Sequence, residues 1–255
     1  EAPEFGWRIF DSIIHNINPK LWEHTERILY YNAGKNYPRI KEYLEKIYLE
    51  SLDIAGETWG RISTLCVLSG HIRLESLFKS LTQYNANTWK AIAATFAHNI
   101  GNEEYLDLCY NGLARLLDDS PHSPEILEEV SHIFSTKKLP VNMLHILATK
   151  YLTRASQVDE SCGIYHFMDC LPTLASFSPS VALEVVKLLA DTAENCRDKY
   201  RIDIKKELIK STFLTILREA DEFDDEFLIH EVISTQDRYL KMGIGDIDTI
   251  YEQAG

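Results

Sequence analysis

The chain has 255 residues, of which 45% are hydrophobic and 25% are charged, and its formal net charge is −13. This composition excludes a globally disordered protein, because there is enough apolar side chain to offset the loss of chain entropy. The acidity argues against nucleic acid as the main ligand, since it repels the phosphate backbone unless basic residues are concentrated on one face.

Apolar residues return at three- and four-residue steps along almost the whole chain, which predicts amphipathic helices. In the first half, Pro19 and Pro38 mark helix starts, and Ser69-Gly70 marks a helix end. The predicted helices of this half are 19–32, 38–51, 57–68, 72–84, 87–99 and 102–117.

The second half continues the same pattern, with a bend expected at Pro172. Its predicted helices are 123–134, 140–152, 163–177, 178–189, 200–220 and 224–242. About a dozen helices with short connections predict an all-α fold, an irregular α-solenoid of antiparallel helix pairs similar to a HEAT or tetratricopeptide superhelix. A compact bundle is the alternative, because no signature recurs at roughly 34 or 40 residues.

We expect a single helical-repeat domain over residues 1–255. A subdivision near 118–123 (Asp-Asp-Ser-Pro-His-Ser) is the alternative to an ordinary loop there. Residues 1–6 resemble a vector-derived remnant, and the missing initiator Met leads us to expect a fragment of a longer protein.

The five cysteines are Cys66, Cys109, Cys162, Cys170 and Cys196. An odd number of widely spread cysteines among apolar neighbours indicates a reducing compartment and not a disulfide framework. The sequence contains no run of about 18 apolar residues, so we expect no membrane span. No signal peptide is recognisable either. We therefore predict a cytoplasmic protein.

Two charge clusters interrupt the helical pattern. The basic residues Arg197, Lys199, Arg201, Lys205 and Lys206 alternate with acidic ones, which favours a solvated helix face. The acidic run 219–226 is interpreted as a solvated turn followed by helix N-terminal acids, with an acidic docking edge for a basic partner as the alternative.

Catalytic patterns are missing from the sequence. Gly243 and Gly245 are the only close glycine pair, and they follow a helix, where a helix-ending cap explains them without a phosphate site. No metalloprotease spacing or nucleophile elbow occurs, and the adjacent Asp pairs diverge. We predict no enzyme activity for this chain and no cofactor.

The pattern most similar to a metal site is Cys162, His166 and Cys170, spaced by four residues. Thiolate and imidazole are zinc ligands, but three ligands along two turns of a straight helix cannot all reach one ion. We therefore expect core packing of these residues and no metal.

Aromatic residues are concentrated in the first 90 residues, which hold all four tryptophans: Trp7, Trp22, Trp59 and Trp89. The last three lie at helical spacing from aliphatic residues, which favours burial. Tyr30 and Tyr31 are adjacent and cannot both face one side of a helix, so at least one should be exposed. With Tyr48 they are the candidate partner-binding residues, because tyrosine is enriched where proteins dock; core packing is the alternative.

Four segments resemble the C-terminal helical-repeat region of bacterial antiviral STAND-class NTPases. They are Trp22–Asn32, Ile40-x-x-Tyr43-Leu44-x-x-Ile47, Ser51-Leu52-x-x-Ala55-Gly56 and Gln236-Asp237-Arg238-Tyr239-Leu240-x-x-Gly243. In that family the NTPase and effector modules precede the helical array. The array binds a viral protein, and this binding allows the protein to oligomerise. The resemblance implies a sensor region without its own nucleotide site, and it assigns no ligand-binding residue.

The leading hypothesis is therefore a protein-recognition module, the sensor region of a larger protein that binds a viral protein in antiphage defence. The alternative is a structural scaffold or assembly subunit without a sensing role. An enzyme with a site assembled from distant segments is a third possibility, and it would require a deep pocket with converging polar groups.

Overall fold

The computed structural model describes residues 2–15, 21–81, 86–135, 139–158, 162–195 and 199–247. All regular elements in these ranges are helices, which confirms the predicted all-α class. None of these helices is both long and apolar enough to cross a bilayer. The chain divides into two compact units, Glu1–Phe96 and Ala97–Gly255, and the loop 118–123 lies within the second. The solenoid arrangement stays a prediction.

The first unit is organised around a helix that is buried on most of its sides. Its helices are α1 (Ala2–His15), α2 (Leu21–Asn32), α3 (Tyr37–Glu50), α4 (Leu52–Leu68), α5 (Leu74–Ser80) and α6 (Ala86–Asn99), the last of which crosses the unit boundary. α4 packs against α2, α3 and α5. Ala55, Ile62 and Cys66 are among its buried residues. α4 is therefore the central helix of this unit, with Asp53 and Glu57 on its exposed side.

The first helix, α1, was missed by the sequence analysis, whose first predicted helix begins at Pro19, outside the described residues. The Trp7 and Phe10 rings lie 5.9 and 4.9 Å from the ring of Tyr43 on α3. Asp11 accepts hydrogen bonds from Arg39 and from the hydroxyl of Tyr43. α1 is therefore held to α3 by one aromatic cluster and one shared carboxylate.

The second unit is organised around a long central helix. Its elements are α7 (Leu106–Asp119), α8 (Pro124–Ser131), a 3₁₀ helix (His132–Ser135), α9 (Val141–Ala155), α10 (Ile164–Phe167), a 3₁₀ helix (Met168–Cys170), α11 (Leu171–Phe177), α12 (Pro179–Asn195), α13 (Lys199–Ile204), α14 (Lys206–Glu222) and α15 (Glu226–Lys241). α12 packs against α9, α11, α14 and α15. Its Val186, Leu189 and Ala190 are fully buried.

Two predicted helices of this unit are interrupted. The predicted helix 163–177 is α10, a 3₁₀ turn and α11, so the bend expected at Pro172 lies instead at 168–170. Pro172 occupies the first turn of α11, where its missing N–H leaves no hydrogen bond unmade. The predicted helix 200–220 is divided at Lys205, whose φ of −106° and ψ of 19° are not helical.

The glycine pair Gly243 and Gly245 follows α15, as predicted from the sequence. Gly243 has a φ of +87°. Its N–H donates to the carbonyl of Leu240 (2.9 Å), and the N–H of Ile244 donates to the carbonyl of Tyr239 (3.1 Å). This is the Schellman pattern that ends a helix, and it confirms the cap interpretation of Gly243.

Candidate partner-binding site

The three tyrosines predicted to bind a partner lie in two environments. Tyr30 and Tyr31 are 48% and 72% exposed at the end of α2, with their rings edge to face at 5.7 Å. The prediction that at least one of the two is exposed is therefore confirmed, and both are. Tyr48 on α3 is half-buried, and its hydroxyl donates to the carbonyl of Ser80 (3.2 Å). Of the three tyrosines, Tyr48 lines the cavity described next, and Tyr30 and Tyr31 are not among its described lining residues.

Tyr48 lines a cavity of about 370 Å³ within the first unit, which we call the α3–α4 cavity. Its described lining residues are Tyr37, Lys41, Leu44, Glu45, Tyr48, Leu49, Trp59, Ser63, Ile72 and Ser80. The α3 residues recur at three- and four-residue steps, so one face of that helix forms a wall. Trp59 and Ser63 are one turn apart on α4 and form a second wall. The cavity therefore depends on the amphipathic pattern that predicted these helices.

The aromatic walls of the α3–α4 cavity are held by neighbouring groups. The rings of Tyr48 and Trp59 are 5.6 Å apart. Tyr37 stacks on His71 with ring centroids 4.7 Å apart and planes 4° apart. The Nε2 of His71 is 3.1 Å from the carbonyl oxygen of Gly34. The site is thus preformed, which lowers the entropic cost of binding.

Polar groups are few in the α3–α4 cavity. Lys41 and Glu45 form an exposed ion pair of 3.6 Å one turn apart on α3, so their charges offset each other. Burial raises the pKa of Tyr37 above its ordinary value, so its phenol is uncharged at physiological pH as an unperturbed tyrosine would be. The cavity therefore favours an uncharged, largely apolar occupant.

Ser63 places one buried hydroxyl at the α3–α4 cavity. The residue is 1% exposed, and its Oγ has no hydrogen-bond partner among the described residues. Most buried hydroxyls are hydrogen-bonded, since an unsatisfied one costs about 1–3 kcal/mol. The Oγ atom is itself closed to solvent, so an occupant of the cavity would reach it only after the side chain rotates.

The sequence analysis missed most of this site. Trp59 was predicted to be core, and it is 6% exposed, but it also lines the α3–α4 cavity. Leu49 was not singled out, although it is 79% exposed beside Tyr48. Leu49 extends the helix-face pattern of α3 by one residue, which was the available signal.

The Cys162, His166 and Cys170 pattern does not form one helix face. Cys162 precedes α10, and Cys170 ends the following 3₁₀ turn. Both cysteines are buried, as predicted, and burial raises the pKa of Cys170. His166 differs from the prediction, because it is only half-buried and its ring lies 4.6 Å from that of His132.

Some residues of the two charge clusters are held in ion pairs or in a helix cap. Lys205 pairs with Asp169 (2.7 Å), and Lys206 pairs with Asp246 (3.0 Å). Arg197 lies outside the described residues. In the acidic run, Asp225 accepts from the N–H of Leu228 (2.9 Å) and so caps α15. This contact agrees with the predicted helix N-terminal acids.

Comparison of the chain with protein-family models, with curated proteins and with solved structures found no significant match.

Proposed function

We propose that this chain is a protein-recognition module and that the α3–α4 cavity binds an apolar side chain of a partner protein. The observation that carries the proposal is a cavity of about 370 Å³ with aromatic walls, beside which the buried Ser63 hydroxyl has no hydrogen-bond partner among the described residues. This volume lies within the range of about 300–1,000 Å³ that is typical of ligand pockets. Few converging polar groups are present, which favours recognition over catalysis.

The surroundings of the α3–α4 cavity favour a protein as the occupant. Leu49 is 79% exposed, so an apolar side chain at the rim stays in contact with water. Lys41 and Glu45 add charged groups to the same rim. Apolar anchors enclosed by a polar rim are the usual organisation of a protein interface.

The resemblance to STAND-class sensor regions supports a more specific version of the proposal, in which the partner is a viral protein. Two of the resembling segments lie near the cavity. Ile40–Ile47 belongs to α3, which forms one wall, and Trp22–Asn32 belongs to α2, which packs against α3 and α4. We therefore expect this first unit to contact the viral protein.

The proposal is tested by photo-crosslinking and affinity measurement on the full chain. A photoreactive benzoylphenylalanine at position 49 should form an adduct with one viral structural protein in infected cells. That viral protein, once purified, should bind the wild-type chain. The Leu49→Glu variant should bind it at least about tenfold more weakly, because the substitution places a charge at an apolar contact.

Ile146→Glu is the matched control, since Ile146 is an exposed aliphatic residue of the other unit. It should leave the affinity unchanged. Equal affinity of the Leu49→Glu variant and the wild type would remove the α3–α4 cavity from the interface. An adduct with a host protein alone would reject the viral version and favour the scaffold alternative.

A further inference from the structure

Three metal-ligating side chains of the second unit lie close together outside the α3–α4 cavity. Glu128 is on α8, His132 follows α8 at the start of a 3₁₀ helix, and His166 is on α10. Each offers one ligand atom, and these three atoms lie within 4.8 Å of one another. We propose that Glu128, His132 and His166 bind one divalent transition-metal ion, with Zn²⁺ as the expected occupant.

The ligand set fits the chemistry of zinc. Two imidazoles and one carboxylate form a known three-ligand zinc set that leaves a fourth position for water or another ligand. Zinc bonds of about 2.0–2.2 Å place two ligands of a tetrahedral ion about 3.4 Å apart. The three atoms therefore need to approach by at most about 1.4 Å, which side-chain rotation can supply.

The backbone is built to bring these side chains together. Glu128 and His132 are four residues apart, so they lie on one face across a single turn. Gly163, in the left-handed conformation with φ of +84°, starts α10 directly against the end of α8. A Cβ at this position would lie 2.6 Å from the Cβ of Ser131 and 3.1 Å from Oε2 of Glu128. Glycine thus permits the approach that places His166 beside the other two ligands.

The three ligands have few competing contacts. Within the described part of the chain, the carboxylate of Glu128 accepts no hydrogen bond, and the two imidazoles contact each other with ring centroids 4.6 Å apart. Glu128 and His166 are half-buried and His132 is exposed, so an ion can enter from solvent.

The local charge also favours a cation. Lys205 is the nearby positive group, with its Nζ 3.7 Å from the ring centre of Tyr165. That ammonium is already held by Asp169 (2.7 Å) and by the carbonyl of Tyr165 (2.8 Å). Its charge is offset by Asp169, and Glu128 is left to attract the ion.

The metal set differs from the pattern that the sequence displayed. His166 was grouped with Cys162 and Cys170 by spacing alone, but both of those cysteines are fully buried in the core. The fold pairs His166 with a different segment, more than 30 residues earlier in the chain. The site therefore depends on a tertiary contact between α10 and the end of α8.

Zinc titration of tag-free, chelator-treated protein tests the proposal. Calorimetry should show one equivalent of Zn²⁺ bound, and Co²⁺ should give the visible absorption of a four-coordinate nitrogen and oxygen site. Mg²⁺ should not compete, because it requires a shell of oxygen ligands. The melting temperature should rise with Zn²⁺ concentration, since the ion binds the native state.

Variants locate the bound ion. His132→Ala, His166→Ala and Glu128→Gln should each weaken Zn²⁺ binding more than about 100-fold, which exceeds the usual loss from a residue that only supports a ligand. His230→Ala, an exposed histidine on α15, is the matched control and should bind as the wild type. Circular dichroism of the metal-free variants establishes that each is folded.

The Gly163→Ala variant tests whether Zn²⁺ binding depends on the position of α10 as well as on the three ligand residues. It retains all three ligands but moves α10 away from Ser131, so Zn²⁺ affinity should fall while the helical content is kept. Unchanged one-to-one binding in His132→Ala and His166→Ala would overturn the proposal. Binding that is only millimolar or that involves several equivalents would overturn it as well.

Discussion

Tyr48 in the first unit and Tyr151 in the second have similar positions in their helices but different surroundings. Each hydroxyl donates to a backbone carbonyl, that of Ser80 for Tyr48 and that of Cys162 for Tyr151. Tyr151 is fully buried, with Phe134 at 5.1 Å and Phe167 at 5.3 Å from its ring. Tyr48 has Trp59 at 5.6 Å and also lines the α3–α4 cavity.

This difference shows what converts a core position into a candidate binding position. Both tyrosines follow aliphatic residues at helical spacing, so local pattern places both toward the interior. Rings from two other segments then enclose Tyr151. Beside Tyr48 the space is lined but not filled, and an apolar surface remains there for another molecule. The two tyrosines thus differ in the helices that surround them and not in their own sequence.

The largest expected effect is the loss of stability when the enclosed ring of Tyr151 is removed. Tyr151→Ala should lower the free energy of unfolding by about 3–5 kcal/mol, because it leaves a cavity between two phenylalanines. Tyr48→Ala should cost about 1–2 kcal/mol, since Tyr48 is only half-buried. Urea unfolding followed by circular dichroism measures both changes.

Tyr31→Ala is the control for this pair, and as a 72% exposed residue it should change stability by less than about 0.5 kcal/mol. Equal losses for Tyr48→Ala and Tyr151→Ala would show that the two environments are energetically the same, and the comparison would fail.

A smaller effect is expected where α4 packs closely against α6. A Cβ at Gly60 would lie 2.7 Å from the carbonyl oxygen of Thr88 and 3.2 Å from the Cβ of Ala91. Gly60→Ala should therefore destabilise the protein by about 1–3 kcal/mol, because α6 must move. Thermal unfolding measures the change.

Gly6→Ala is the matched control, since Gly6 lies in α1 and, among the described residues, no atom beyond its own stretch of helix backbone lies within 4 Å of the added methyl group. It should stabilise the protein by up to about 1 kcal/mol through helix propensity. A stabilising Gly60→Ala substitution would contradict the close approach of α4 and α6.

The smallest expected effect concerns the hydroxyl at the α3–α4 cavity. Ser63→Ala should stabilise the isolated protein by about 1 kcal/mol, because it removes a buried group without a hydrogen-bond partner among the described residues. Chemical unfolding measures the change.

Ser211→Ala corrects for the helix propensity gained in any Ser-to-Ala change, since Ser211 is exposed on α14 and bonds to the carbonyl of Leu208 (3.0 Å). The difference between the two variants isolates the buried hydroxyl. A Ser63→Ala protein less stable than Ser211→Ala would mean that this hydroxyl is satisfied in solution.

Most helices could be predicted because their signals are local. Pro38 in the first turn of α3, Asn99 at the end of α6 and the glycine cap at Gly243 act through neighbouring backbone groups. α1 carries the same kind of local signal, since Trp7 and Phe10 are three residues apart, but it was missed because the first residues were interpreted as a vector-derived remnant.

The candidate sites were harder to predict from the sequence than the helices. The exposure of Tyr31 follows from its adjacency to Tyr30, which is a local argument. Leu49 and Ser63 line the α3–α4 cavity only because of the way in which α3, α4 and α5 pack and leave space between them. Likewise, the neighbour of His166 is His132, and their separation in sequence conceals the contact.

The order of apolar and polar residues alone determined that this protein is helical and approximately where its helices begin and end. Those properties depend on hydrogen bonds and caps between residues a few positions apart. The tertiary structure decided which buried faces are filled, where the α3–α4 cavity lies and which side chains meet at the end of α8. Packing depends on the shapes of residues far apart in the chain, and periodicity carries no information about those shapes.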